Sequence, residues 1–205
     1  GRATVCGIDL GTTNSVVCVQ SPSSKGVGEI TCIPDPATNS SVIPSVVSFL
    51  DHHYQRSFRL TKDEKKNDIW PATEKRSYHV PHPVDVVVGQ SAKARINSHP
   101  HHTIYHAKRI IGREYDHESV TSLRGEVDFD IVAKQPLATT VENENDDMTA
   151  AFSFPYHMPP PTETTDGGSN GDHYISTGVS ASSSAVLTPS DIGSYIIHHL
   201  RTITR

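Results

Sequence analysis

Hydrophobic positions along this chain fall in short runs divided by turn-forming residues, a pattern that favours strands over long helices in the first half. Residues 5–9 form an apolar run ending in a carboxylate, Asp9. Leu10 and a turn of Gly11, Thr12, Thr13 and Asn14 follow, and then a β-branched run over residues 15–19, so a β-hairpin is predicted. Residues 21–28 read as a turn-rich connection and 29–33 as a third strand. The pattern breaks over 34–41 and resumes as a strand over 42–50, with Pro44 near its start. Residues 86–88 (VVV) predict a short buried strand, and 89–97 a turn entering a short helix that carries Lys93 and Arg95. A second helix is expected over 103–111, because Ile104, Ala107 and Ile111 recur at helical spacing and Gly112 follows as a stop. The chain closes with a helix signature: Thr188 as N-cap, Pro189 in the first turn, Asp191 as the capping-box acid, and Ile192, Tyr195, Ile196, Leu200 and Ile203 along one face. Strands first and helices later place the fold in the α/β or α+β class.

Composition removes two stretches from this picture. Only 35% of the 205 residues are hydrophobic and the mean hydropathy is -0.42, so part of the chain is expected to stay unpacked. Residues 51–85 are rich in charge and histidine, hold Trp70, and read as an exposed insertion. Residues 137–184 combine an acidic run, a Pro/Thr tract and a serine tract. They are expected to form a disordered loop, interrupted at most by a strand near 174–179. A net charge of -5 gives no basic footprint for nucleic acid, and no apolar run approaches the length of a membrane span. The start at Gly1 and Arg2 shows no initiator Met or signal-peptide pattern, and the last helix is still periodic at Arg205. The sequence is therefore expected to be a segment of a longer chain. Cys6, Cys18 and Cys32 are odd in number and lie in apolar runs, which predicts buried thiols rather than a disulfide.

Candidate chemistry concentrates at the hairpin tip. Gly11 lets the backbone approach a ligand, turn N–H groups can converge on an anion, and Thr12 and Thr13 add hydroxyl donors. Asp9 is placed to hold a hydrated cation. The residues alone fit a phosphate and Mg²⁺ site, and they equally fit a hairpin whose turn is polar for ordinary reasons. Lys93 by itself reads as a solvated helix lysine, and Lys108, Arg109 and Arg113 as partners of a helix dipole. His99, His101, His102 and His106 cluster without the cysteine pair or carboxylate that would complete a metal site.

In chain order, GIDLGTTNS, IPSVVSF, VVVGQSAKA, HTIYHAKRIIGRE and LTPSDIGSYIIHHLRTI resemble the N-terminal half of the ATPase domain of the seventy-kilodalton heat-shock chaperone family. That resemblance implies an α/β, actin-like ATPase fold, a ribonuclease-H-like sheet plus helices, of which this chain supplies the first lobe only and incompletely. Residues 1–136 then belong to that lobe, 137–184 to an insertion, and 185–205 to a helix returning to it. It also implies ATP or ADP with Mg²⁺ as cofactors, Asp9 ordering the Mg²⁺ through water, and Gly11, Thr12, Thr13 and Asn14 holding the phosphates. Thr13 would lie near the terminal phosphate, and Lys93 falls on the lysine that contacts the γ-phosphate and attacking water, so Lys93 and Thr13 are the catalytic candidates. The parent's partners would be unfolded client proteins, J-domain co-chaperones and nucleotide-exchange factors. The second phosphate motif and the adenosine motif of that family are not present, so this chain alone is expected to be inactive as an ATPase. CIPDP, IPSVVSF and HTIYHAKRIIGR look most like the short microsomal type. This favours the endoplasmic reticulum lumen over the cytoplasm or mitochondrion. A non-catalytic nucleotide-responsive module, a degenerate fragment and a sugar kinase of the same superfamily are the alternatives.

Overall fold

A computed structural model of the chain describes residues 5–21, 28–50, 85–134, 148–156 and 183–204. The insertion expected over 51–85, apart from the buried Asp85, and the strand expected near 174–179 lie outside the described residues.

The first sheet is built on the hairpin. β1 (Val5–Leu10) and β2 (Asn14–Gln20) pair antiparallel from Val5↔Gln20 to Leu10↔Ser15. β3 (Ile30–Cys32) adds to β2 with Cys18 opposite Cys32, and β4 (Ile43–Pro44) pairs with the start of β2, Asn14↔Pro44. A second sheet has the order β6-β5-β7, with β5 (Val47–Phe49) between β6 (Val86–Val88) and β7 (Thr103–Ile104). The third has the order β10-β9-β8, with β9 (Thr149–Tyr156) between β8 (Asp130–Lys134) and β10 (Ser183–Leu187). Three α-helices complete the described fold: α1 (Gln90–Lys93), α2 (Glu118–Arg124) and α3 (Pro189–Ile203). The architecture is mixed α/β with antiparallel sheets.

One apolar core joins the sheets. Phe49 of β5 stacks on Phe154 of β9 at 4.1 Å between ring centroids and meets Tyr195 of α3 edge-on at 5.6 Å. α3 presents the predicted face: Ile192, Tyr195, Ile196 and Leu200 are all buried. Each such side chain contributes about 1.5–3 kcal/mol of burial, so the helix is held by its packing as well as by its cap. That cap is the predicted one. Thr188 Oγ1 accepts from Asp191 N at 3.2 Å and Asp191 Oδ2 accepts from Thr188 N at 2.8 Å.

Several expectations are corrected. Residues 103–111 are not one helix: Thr103 and Ile104 form β7, His106 takes a left-handed φ of 60°, and a single 3-10 turn follows at Ala107–Ile110. A left-handed non-glycine residue cannot continue an α-helix. Of the three positions the spacing marked, Ile104 and Ala107 are buried but Ile111 is 45% exposed; Ile110, which it did not mark, faces the core instead. Residues 149–156, inside the stretch expected to be a disordered loop, form the central strand β9 with Ala151, Phe152 and Phe154 buried. The cysteines are not three buried thiols. Cys18 and Cys32 form a disulfide, and Cys6 is a free, exposed cysteine on β1. Opposite residues of an antiparallel pair carry their side chains on the same face, and the register that brings these two together is set by strands 14 residues apart in sequence.

Candidate functional site

The hairpin turn is drawn in tightly against the strand that follows. A Cβ at Gly11 would stand 2.1 Å from the Asn14 carbonyl oxygen, so any side chain there displaces the turn. Ser45, immediately after β4 and 4% exposed, reaches the turn twice. Its N–H donates to the Thr13 carbonyl at 2.8 Å and its Oγ donates to the Gly11 carbonyl at 2.8 Å. Behind it the buried Ser15 hydroxyl bonds Ser45 Oγ at 2.8 Å. Lys108 Nζ donates to the Leu10 carbonyl, so this lysine serves the turn rather than the helix dipole expected of it.

The Gly11 and Thr13 carbonyls are therefore held on Ser45 and the Leu10 carbonyl on Lys108, while the N–H groups of Thr12 and Thr13 have no acceptor among the described residues. Gly11 and Thr12 are half-buried, and Asp9, Thr13 and Asn14 are exposed. A small cavity of about 20 Å³, lined by Gly11, Thr12, Ser45, Lys108 and Gly193 among others, lies where the turn meets α3. Its volume suits about one water molecule.

Lys93 stands exposed at the end of α1, and its ammonium has no partner among the described residues. No hydrogen bond or ion pair between described residues joins it to residues 9–14. The connection is one of scaffold. α1 packs on β4, β5 and β6, and β4 is the strand that pairs with Asn14 and Ser15. A chain of hydrogen bonds fixes the segment after α1: Arg95 Nε donates to Ser48 Oγ at 2.8 Å, Ser48 Oγ and Thr103 Oγ1 are 2.9 Å apart, and Thr103 Oγ1 donates to the His99 carbonyl at 2.8 Å.

Other candidate groups have structural partners. Arg109 grips Glu126 through both guanidinium nitrogens, at 2.6 and 3.1 Å. That contact first, and Ser122 second, hold the Glu126 carboxyl down to about 2. His101 donates to the Asp128 carbonyl at 2.7 Å and His102 to the Pro155 carbonyl at 3.0 Å, while His99 bonds Ser98 Oγ at 2.8 Å. His199 of α3 places Nε2 3.9 Å from the buried Asp35 carboxylate, beside the left-handed Gly89 that opens α1. Burial lowers the pKa of His199, and the charge of Asp35 pulls it partly back.

Sequence reasoning missed Ser45 and Lys108. Ser45 stands inside IPSVVSF and Lys108 inside HTIYHAKRIIGRE, so both lay within the segments that carried the resemblance. Nothing local shows that either side chain reaches a turn carbonyl.

Comparison with known proteins gives one family. Residues 77–153 match the family model described as Hsp70 protein. Over 150 residues the chain is 30% identical to heat shock 70 kDa protein 13 of Homo sapiens and 31% identical to that of Rattus norvegicus. These alignments cover 73% of this chain and 24% of each relative, so the chain spans about a quarter of the length of the curated relatives it matches. The family-model match includes Lys93 and Lys108 and lies beyond the hairpin.

Proposed function

The chain belongs to the Hsp70 family, and from that premise we propose that residues 9–14 and Lys93 are one side of a nucleotide-phosphate site in an actin-like ATPase lobe. The observation that carries this reading is the hairpin turn: only glycine fits at position 11, and the Thr12 and Thr13 N–H groups have no acceptor among the described residues. Unpaired backbone donors are rare in folded proteins unless water or a ligand meets them. Convergent N–H groups of a tight turn are suited to anionic oxygens.

Gly11, Thr12, Thr13 and Asn14 hold the phosphates, with the Thr13 hydroxyl at the terminal one. Asp9, exposed and beside the turn, suits a hydrated Mg²⁺, which binds oxygen ligands and keeps several waters. When bound, that ion neutralises charge on the phosphate oxygens. Lys93 supplies a positive charge for the γ-phosphate and orients the attacking water. Such charge stabilisation and positioning make up most of phosphoryl-transfer catalysis. In a longer protein carrying this segment, nucleotide turnover is coupled to client folding and tuned by J-domain co-chaperones and nucleotide-exchange factors.

Calorimetric titration of MgATP and of Mg-tripolyphosphate into the chain tests the reading. Saturable binding of both is expected, with affinity falling about tenfold in Thr13→Ala and in Lys93→Ala, the loss of one charge-assisted contact. Adenosine without phosphates should give no heat. Binding of adenosine but not tripolyphosphate, or of neither nucleotide nor tripolyphosphate, contradicts it.

A further inference from the structure

We propose that Ser45 is the positioning residue of the phosphate turn: it pins the Gly11 and Thr13 carbonyls inward and thereby presents the turn's N–H groups to an anion. The inference rests on the phosphate reading of the hairpin and adds to it a residue that touches neither phosphate nor metal.

A trans peptide is planar, with its C=O and N–H pointing in opposite directions. No cis bond occurs among the described residues. Fixing the Gly11 carbonyl on Ser45 Oγ at 2.8 Å therefore aims the Thr12 N–H away from Ser45. Fixing the Thr13 carbonyl on Ser45 N at 2.8 Å does the same for the Asn14 N–H. Lys108, through the Leu10 carbonyl, anchors the residue before them.

Ser45 is suited to this role by its own surroundings. It is nearly fully buried, on a backbone fixed by the pairing of β4 with β2, so its hydroxyl is held in place. Because Ser45 Oγ gives its one hydrogen to Gly11, the 2.8 Å contact with Ser15 is donated by Ser15. The result is a relay of two buried hydroxyls that ends on a backbone carbonyl. Without Ser45 Oγ the Gly11 carbonyl loses this partner, and the peptide between Gly11 and Thr12 is free to rotate. A turn that presents its donors only part of the time binds in proportion to that fraction.

The test compares two buried hydroxyls of the same relay in the full chain, reading Mg-tripolyphosphate affinity by calorimetry and stability by thermal melting. Ser45→Ala is expected to weaken binding about tenfold, the loss of one anchoring hydrogen bond. Ser15→Ala removes an equally buried hydroxyl but leaves the bond to Gly11 in place; it should hold affinity within about threefold at a similar loss of melting temperature. If Ser45→Ala does not fold, Ser45→Cys, close in volume and only a weak donor, replaces it with the same expected loss. Full affinity in the Ser45 variant, or equal losses in the Ser45 and Ser15 variants, overturns the inference while wild-type binding keeps the phosphate reading standing. Absence of binding by the wild-type chain overturns the phosphate reading, and the inference falls with it.

Discussion

At the scale of single residues, Gly11 and Ser45 define the proposed site from opposite sides. One is required because nothing larger fits, the other because it bonds what would otherwise be loose. Gly11→Ala is expected to destabilise the chain by about 1–3 kcal/mol, the usual cost of forcing a turn into strain. It should also abolish measurable Mg-tripolyphosphate binding; urea unfolding and calorimetry check the two effects. Gly11 was legible in the sequence because a glycine among small polar residues between two apolar runs has a local meaning. Ser45 and Lys108 were not, because their acceptors are main-chain carbonyls 34 and 98 residues away. Composition and spacing carry no trace of such bonds. His199 makes a separate prediction about pH. Its folded-state pKa lies below the usual 6.5, chiefly through burial, so the unfolded chain takes up the proton first. Its contribution to stability is therefore fully present above about pH 6.5 and declines as the pH falls below it. Urea unfolding at pH 7.5 and 5.5 should show a smaller pH-dependent loss in His199→Gln than in the wild-type chain.

At the scale of elements, what could be read depended on how local the determinants were. α3 was legible to its first residue, because a capping box and an amphipathic face lie within one stretch of sequence. Thr188→Ala should cost about 1 kcal/mol, the typical value of an N-cap, measured as a shift in the urea midpoint at constant slope. Residues 103–111 were misread because a strand, a left-handed residue and a 3-10 turn in succession bury Ile104, Ala107 and Ile110 much as a helix would. β3 depends on a contact that no local pattern shows. Its three residues are all exposed, and the disulfide ties it to β2. Closing a loop of this length stabilises by about 3 kcal/mol in the chain-entropy account. A thiol reagent should titrate one cysteine, Cys6, in the untreated chain and all three after reduction and unfolding. Reduction alone should lower the melting temperature and speed amide exchange in β3 before it affects β9.

At the scale of the whole molecule, the three antiparallel sheets of the described residues and α3 share one core around Phe49, Phe154 and Tyr195. That core carries the two parts of the proposed site on connected elements, the turn on β1 and β2 and Lys93 on α1, with β4 between them. The mixed α/β class was legible because strand runs precede helical ones. The place of β9 was not. The run TAAFSF is short and sits within a long polar stretch, so averaged composition hid a strand whose burial is set by β8 and β10 on either side. Family membership was legible from the order of several short segments, none of which would have been specific alone.

The claim that the first hairpin, with Lys93, binds phosphate is tested most directly by amide resonances of the chain titrated with Mg-tripolyphosphate. The account predicts that the largest saturable shifts fall on Gly11, Thr12, Thr13 and Asn14, with a smaller change at Lys93, and that they are lost in Gly11→Ala. Saturable shifts centred on other residues, with 11–14 unmoved, would contradict it.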